Sequence, residues 1–154
     1  MNSTPVPREH GRELFEAGAS FRVWGIGLDI ERLSREFGFP PSHTHKLGEL
    51  DQSKKPYAAD MWYLNSPLDR NEKLEAHLNW LSQVLVPRKQ YISSLKKDFK
   101  VDIYCFKTCY TEQASLTLSS QALNLFVDLQ LELGVSLIFL PDEITSASTS
   151  SPPG

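Results

Sequence analysis

Residues Ser20 to Leu47 read SFRVWGIGLDIERLSREFGFPPSHTHKL, and the way their periodicity changes decides the fold. Ser20 to Ile26 (SFRVWGI) is rich in the aromatic and β-branched residues that favour a strand. Asp29 stands where a helix N-cap belongs, Ile30, Leu33 and Phe37 follow at helical spacing, and Gly38 suits the position just past a helix end. Pro40 and Pro41 reset the chain, and Ser42 to Leu47 (SHTHKL) reads as a short second strand.

Downstream of this unit a polar loop, Gly48 to Pro56, precedes a third strand, Tyr57 to Leu64 (YAADMWYL). Leu74, Leu78, Leu81 and Leu85 form the stripe of an amphipathic helix, widened by His77, Trp80 and Val84. Pro87 breaks that helix, and a shorter one from Arg88 to Lys97 packs through Tyr91, Ile92 and Leu95. Val101 to Tyr110 alternates as a strand, with Ser115 to Leu118 as its expected hairpin partner. Ser119 or Ser120 caps a last helix from Gln121 to Leu133, Gly134 stops it, and Val135 to Leu140 (VSLIFL) forms a final strand ending at Pro141. The predicted class is α+β: a mostly antiparallel sheet with helices on one face, in the split β-α-β order of ferredoxin-like folds plus an extra helix and strand. The expected organisation is a loosely ordered segment 1–17, a single α+β domain 18–142 and a disordered Ser/Thr/Pro tail 143–154.

A chain of 154 residues, 40% hydrophobic, is long enough for one core without disulfides or metals. Its formal net charge of −3 supplies no global attraction to nucleic acid or anionic lipid. No run approaches the ~20 apolar residues of a membrane span, and Met1 to Pro7 lacks the pattern of a secretory signal. Cys105 and Cys109, four apart on one predicted strand, lie roughly 13 Å apart at ~3.3 Å per residue, too far for a disulfide. A reducing, cytoplasmic setting is expected. No Walker motif, GxSxG, HExxH or CxxC occurs, so no cofactor is expected.

The phrases ASFRVWG, LDIERLSREFGFPPSHTHKLGE, MWYL, LEAHLNWL, VDIYCF and LNLFVDLQLELGVSLIFL, in this order between Ala19 and Leu140, resemble the uncharacterised bacterial proteins grouped as domain of unknown function 4279. The pattern fits best at Trp24, Leu47 to Glu49, Trp62 and His77 to Trp80. The resemblance implies a small stand-alone soluble α+β domain and implies no reaction.

Period-two alternation points to where chemistry could sit. Phe21 and Val23 oppose Arg22 and Trp24; Asp60, Trp62 and Leu64 oppose Met61 and Tyr63; Ile103 and Cys105 oppose Asp102, Tyr104 and Phe106. One face is aliphatic and suits helices. The other is expected to collect Arg22, Trp24, Asp60, Trp62, Asp102, Tyr104 and Phe106, a mixture of rings and ions that suits recognition of a protein or small ligand. The competing reading pairs Arg22 with Asp60 or Asp102 and buries the rings beneath loop Gly48 to Pro56 or a partner.

His43 and His45, two apart on a strand, could hold a zinc with His77 or an aspartate as third ligand, the alternative being a hydrolase that also uses Asp60. Two histidines fall short of a catalytic set, so a polar edge strand is preferred. His77 beside Trp80 reads as a packing residue rather than a base for Cys105. The basic cluster Arg88, Lys89, Lys96, Lys97 and Lys100 reads as a solvated helix face, since the RNP strand signature of RNA-binding sheets is missing. The function expected is non-catalytic recognition, in an immunity- or accessory-type role by analogy, with an unidentified protein or small-molecule partner and neither nucleic acid nor membrane.

Overall fold

Strand-forming residues with a period of two build a sheet, and periodic leucines build the helices that cover one side of it. The computed structural model describes residues 15–111 and 113–140. In chain order it contains β1 (Phe15–Gly25), α1 (Ile30–Phe37), β2 (His43–His45), β3 (Asp60–Asn65), α2 (Leu74–Leu85), a 3-10 turn (Val86–Arg88), α3 (Lys89–Leu95), β4 (Lys100–Cys109), α4 (Ser120–Leu129) and β5 (Gly134–Phe139). The sheet order is β2-β3-β1-β4-β5. The first three neighbouring pairs are antiparallel and β4–β5 is parallel. Strands one to four interleave as a split β-α-β fold, and α4 with β5 extends the sheet beyond β4.

Local chemistry accounts for the ends of α1. The Asp29 side chain accepts from Arg32 N at 3.0 Å, and Gly38 adopts φ 72° while its N–H donates to Ser34 O. Leu33 and Phe37 on this helix are buried against Phe21 and Trp62 of the sheet. The leucine stripe of α2, together with Ile92 and Leu95 of α3 and Leu125 and Leu129 of α4, completes one core over the strand residues Ala17, Ala19, Phe21, Val23, Ile103 and Cys105.

Four expectations about element boundaries need correcting. Residues 15–17, placed in a loose segment, open β1: Ala17 is fully buried and its N–H donates to Arg70 O at 2.8 Å. That partner is distant in sequence, so nothing local announces it. Residues 115–118 form no strand; β4 instead takes β5, whose VSLIFL has the stronger β character. The third strand begins at Asp60 rather than Tyr57, because Tyr57 bonds back to Gly48 and Glu49 in the loop. Helix α4 stops at Leu129, not Leu133: Gln130 takes φ 52°, and Lys96 Nζ donates to the freed carbonyls of Leu129 and Gln130 at 3.2 and 2.8 Å. Residues 1–14 and the expected Ser/Thr/Pro tail lie outside the described residues.

Candidate functional site

In an antiparallel ladder, residues directly opposite one another point to the same side of the sheet. Two register rows therefore define the face away from the helices: His43–Tyr63–Arg22–Asp102 and His45–Met61–Trp24–Lys100. A third row sets Asn65, Ser20 and Tyr104 together, and a fourth sets Gly18 beside Phe106. Five of the anticipated residues, Arg22, Trp24, Asp102, Tyr104 and Phe106, meet here.

Asp60 and Trp62 do not join them, and the expectation that they would is corrected. Trp62 lies opposite Val23, and Leu64 opposite Phe21, so the set Asp60, Trp62 and Leu64 points into the helix-packed side. Trp62 is fully buried. Its ring stacks on Phe37 with centroids 5.2 Å apart, and its Nε1 donates to Ser34 Oγ at 3.0 Å. The carboxylate of Asp60 accepts from the backbone of Gly27 (2.9 Å), Leu28 (3.0 Å) and Leu47 (2.8 Å). Those bonds, led by Leu47 and Leu28, hold its pKa below the ordinary value. Asp60 ties the β1–α1 connection to the segment after β2. Sequence reading missed Tyr63, His43 and His45 as members of the open face. Both parities of β3 carry large side chains, so only the cross-strand register reveals which set faces outward.

The centre of the face is a built platform. Arg22 donates from Nε to Asp102 Oδ1 at 2.8 Å and from Nη2 to Oδ2 at 2.6 Å, a two-pronged pair that holds its plane. The hydrogen bond to Asp102, opposed by burial, raises the arginine's pKa further. The guanidinium lies 5.2 Å from the Trp24 ring and 4.8 Å from the Tyr104 ring, so one cation orients two aromatic faces. Its side chain is still 30% exposed and that of Asp102 35%. Phe106 packs against Gly18, where a Cβ would meet its ring at 2.5 Å, and the Arg70 guanidinium lies 5.9 Å from that ring's centroid. Beyond Trp24 a groove of about 550 Å³ opens between Ala58, Ala59 and Phe99, with Lys97 and Lys100 also lining it.

At the β2 end, His43 stacks on Tyr63 (5.1 Å) and His45 stacks on Tyr57 (3.5 Å, 6° between planes). Burial, then the neighbouring His43, lowers the pKa of His45, which favours its neutral form. Among the described residues no three His, Cys, Asp or Glu side chains gather as metal ligands. The proposed third ligands point elsewhere: Asp60 to the opposite side of the sheet, and His77 to Ser66 Oγ at 2.9 Å within the core. The loop considered as a lid closes on itself, with Asp51 accepting from Ser53 and Lys55 and a bridge between Leu50 and Pro56.

Cys105 and Cys109 are buried free thiols. Burial, aided by the charge of Asp102, pushes the Cys105 thiol up to about 12, which removes it as a nucleophile. A thiol reagent such as dithionitrobenzoate should therefore leave both cysteines unmodified in the native protein and titrate both in denaturant; rapid native labelling of Cys105 would contradict this placement. The basic cluster is partly structural as well: Arg88 donates to Glu36 O and Val84 O, and Lys96 to the end of α4.

Among the described residues no helix is long and apolar enough to cross a membrane. No curated protein and no solved structure matches the chain. A family profile described as domain of unknown function matches residues 13–140, from just before β1 to just after β5. The chain belongs to that family, DUF4279.

Proposed function

We propose that this chain is a non-catalytic recognition domain that docks a protein partner on the open face of its sheet. The observation that carries the reading is the Arg22 platform: a guanidinium fixed by Asp102 and flanked by Trp24 and Tyr104, at the centre of a sheet side that no described helix covers. Tryptophan, tyrosine and arginine dominate binding hot spots because each offers a large contact area with few rotamers to freeze. Here those rotamers are already restrained before a partner arrives, which lowers the ordering cost of association. A broad pleated surface with rings lying on it suits a protein better than an enclosed small molecule. The hydrolase alternative loses its carboxylate, since Asp60 lies behind the sheet with its oxygens engaged.

A photo-crosslinking residue in place of Tyr104, compared with one at the exposed Val127 of α4, tests the proposal in living cells. Position 104 should yield a discrete adduct that Val127 does not, and Trp24→Ala should weaken capture by roughly 30-fold, the size of a hot-spot loss of about 2 kcal/mol. Trp24→Ala should leave thermal stability within a few degrees, since the indole is partly exposed. Equal labelling at both positions would sink the reading.

A further inference from the structure

We propose that β5 pairs edge to edge with β5 of a second copy of this chain, giving a twofold dimer whose sheets run on as one. The two edges of the sheet differ in kind. The β2 edge is three residues long, comes after Pro40 and Pro41, and is followed by Lys46, the devices that blunt an edge against association. β5 is six residues long, and from Gly134 to Leu140 it has neither a proline nor a charge. One side of β5 is bonded to β4; the other meets no strand among the described residues.

The side chains on this edge are left in water. Leu137, Ile138, Phe139 and Leu140 are 51%, 41%, 50% and 47% exposed, and Leu133 before them 40%. Together they expose on the order of 500 Å² of apolar surface, at the upper range for a monomer's largest patch. Pairing along this edge would cover part of that surface on each copy, at most about 1,000 Å² over both, which is the lower bound of a specific interface, with a backbone ladder in addition.

A second copy fits this surface by symmetry. With the twofold axis perpendicular to the sheet at Leu137, Leu137 meets itself, Val135 meets Phe139 and Ser136 meets Ile138. Each pair then shares a face, as an antiparallel ladder requires, and no charge is buried. The chain's own remaining residues are poorer occupants. Residues 1–14 (MNSTPVPREHGREL) and 141–154 (PDEITSASTSSPPG) offer few large apolar side chains, and their five prolines cannot donate to a ladder. The dimer would place two open faces side by side on one ten-stranded sheet, so a repeated partner would be held twice. The inference stands on the edge alone and does not depend on what the open face binds.

Light scattering on the full chain tests it. Wild type should show a concentration-dependent mass approaching twice 17.4 kDa, persisting at high salt because the contact is apolar. Leu137→Lys should weaken association by at least about tenfold without lowering the thermal midpoint appreciably, while Lys46→Glu at the other edge should leave it unchanged. Because Leu137→Lys could also disturb β5, Leu137→Cys provides a second readout: at the twofold axis it should form an intermolecular disulfide far faster than Val127→Cys. A monomeric wild type at the highest attainable concentration, a dimer that survives Leu137→Lys, or equal crosslinking at 137 and 127 would each overturn the proposal.

Discussion

Trp62→Ala should lower the stability of the protein by about 3–5 kcal/mol, the range for deleting a large buried aromatic. For a domain of this size, that corresponds to a fall of roughly 6–20 °C in Tm. The indole is fully buried, stacked on Phe37 and edge-on to Phe21 at 6.4 Å, so its removal leaves a cavity bounded by α1 and the sheet. The neighbouring rings are themselves in contact at 5.2 Å and belong to different elements, which limits how far the site can collapse. The lost Nε1 donor adds less, because Ser34 Oγ keeps its bond to Ile30 O. Trp62→Phe should accordingly be intermediate. Chemical denaturation with unchanged m-value provides the measurement; a midpoint within 3 °C of wild type for Trp62→Ala would remove Trp62 from the core.

Asp60→Ala carries the second large effect, on the order of 2–4 kcal/mol, because three backbone donors lose their acceptor at once. Gly27 and Leu28 lie in the connection from β1 to α1, and Leu47 lies just after β2. The carboxylate therefore joins two turns that no ladder joins. Its pH dependence has a definite sign. The native pKa is held below the ordinary 3.8, so its contribution is complete well above 3.8 and is lost as the pH falls through the lower native value. Asp51, whose carboxylate is likewise held low by Lys55 and Ser53, acts in the same window. The comparison with Asp60→Asn isolates the first carboxylate: the variant should be less stable at pH 7 and lose less on acidification. Parallel acid limbs for the two proteins would show that Asp60 does not supply this term.

The secondary structure was legible wherever it depends on neighbours in sequence. Asp29 and Gly38 bracket α1 as cap chemistry requires, and the leucine spacing of α2 marks its buried stripe. The partition of β1 and β4 was legible too, because aliphatic residues alternate there with Arg22, Trp24, Asp102 and Tyr104. The same logic misassigned β3. Trp62 with Leu64 and Met61 with Tyr63 are both plausible core sets, and a shift of one residue in pairing exchanges them. The open face therefore owes Tyr63, His43 and His45 to register rather than to composition.

Residue chemistry alone determined the α+β class, the element types apart from the strand expected at 115–118, and the aromatic–ionic character of two strands, because propensity, capping and periodicity act over a few residues. Tertiary structure decided the rest: that Asp60 points to the helix side and accepts from two connections, that Trp62 is core, and that β4 takes β5 as its outer neighbour. Each of these depends on pairs separated by tens of residues, such as Val23 with Trp62 and Cys105 with Val135, whose register emerges only when the whole sheet closes over one set of helices.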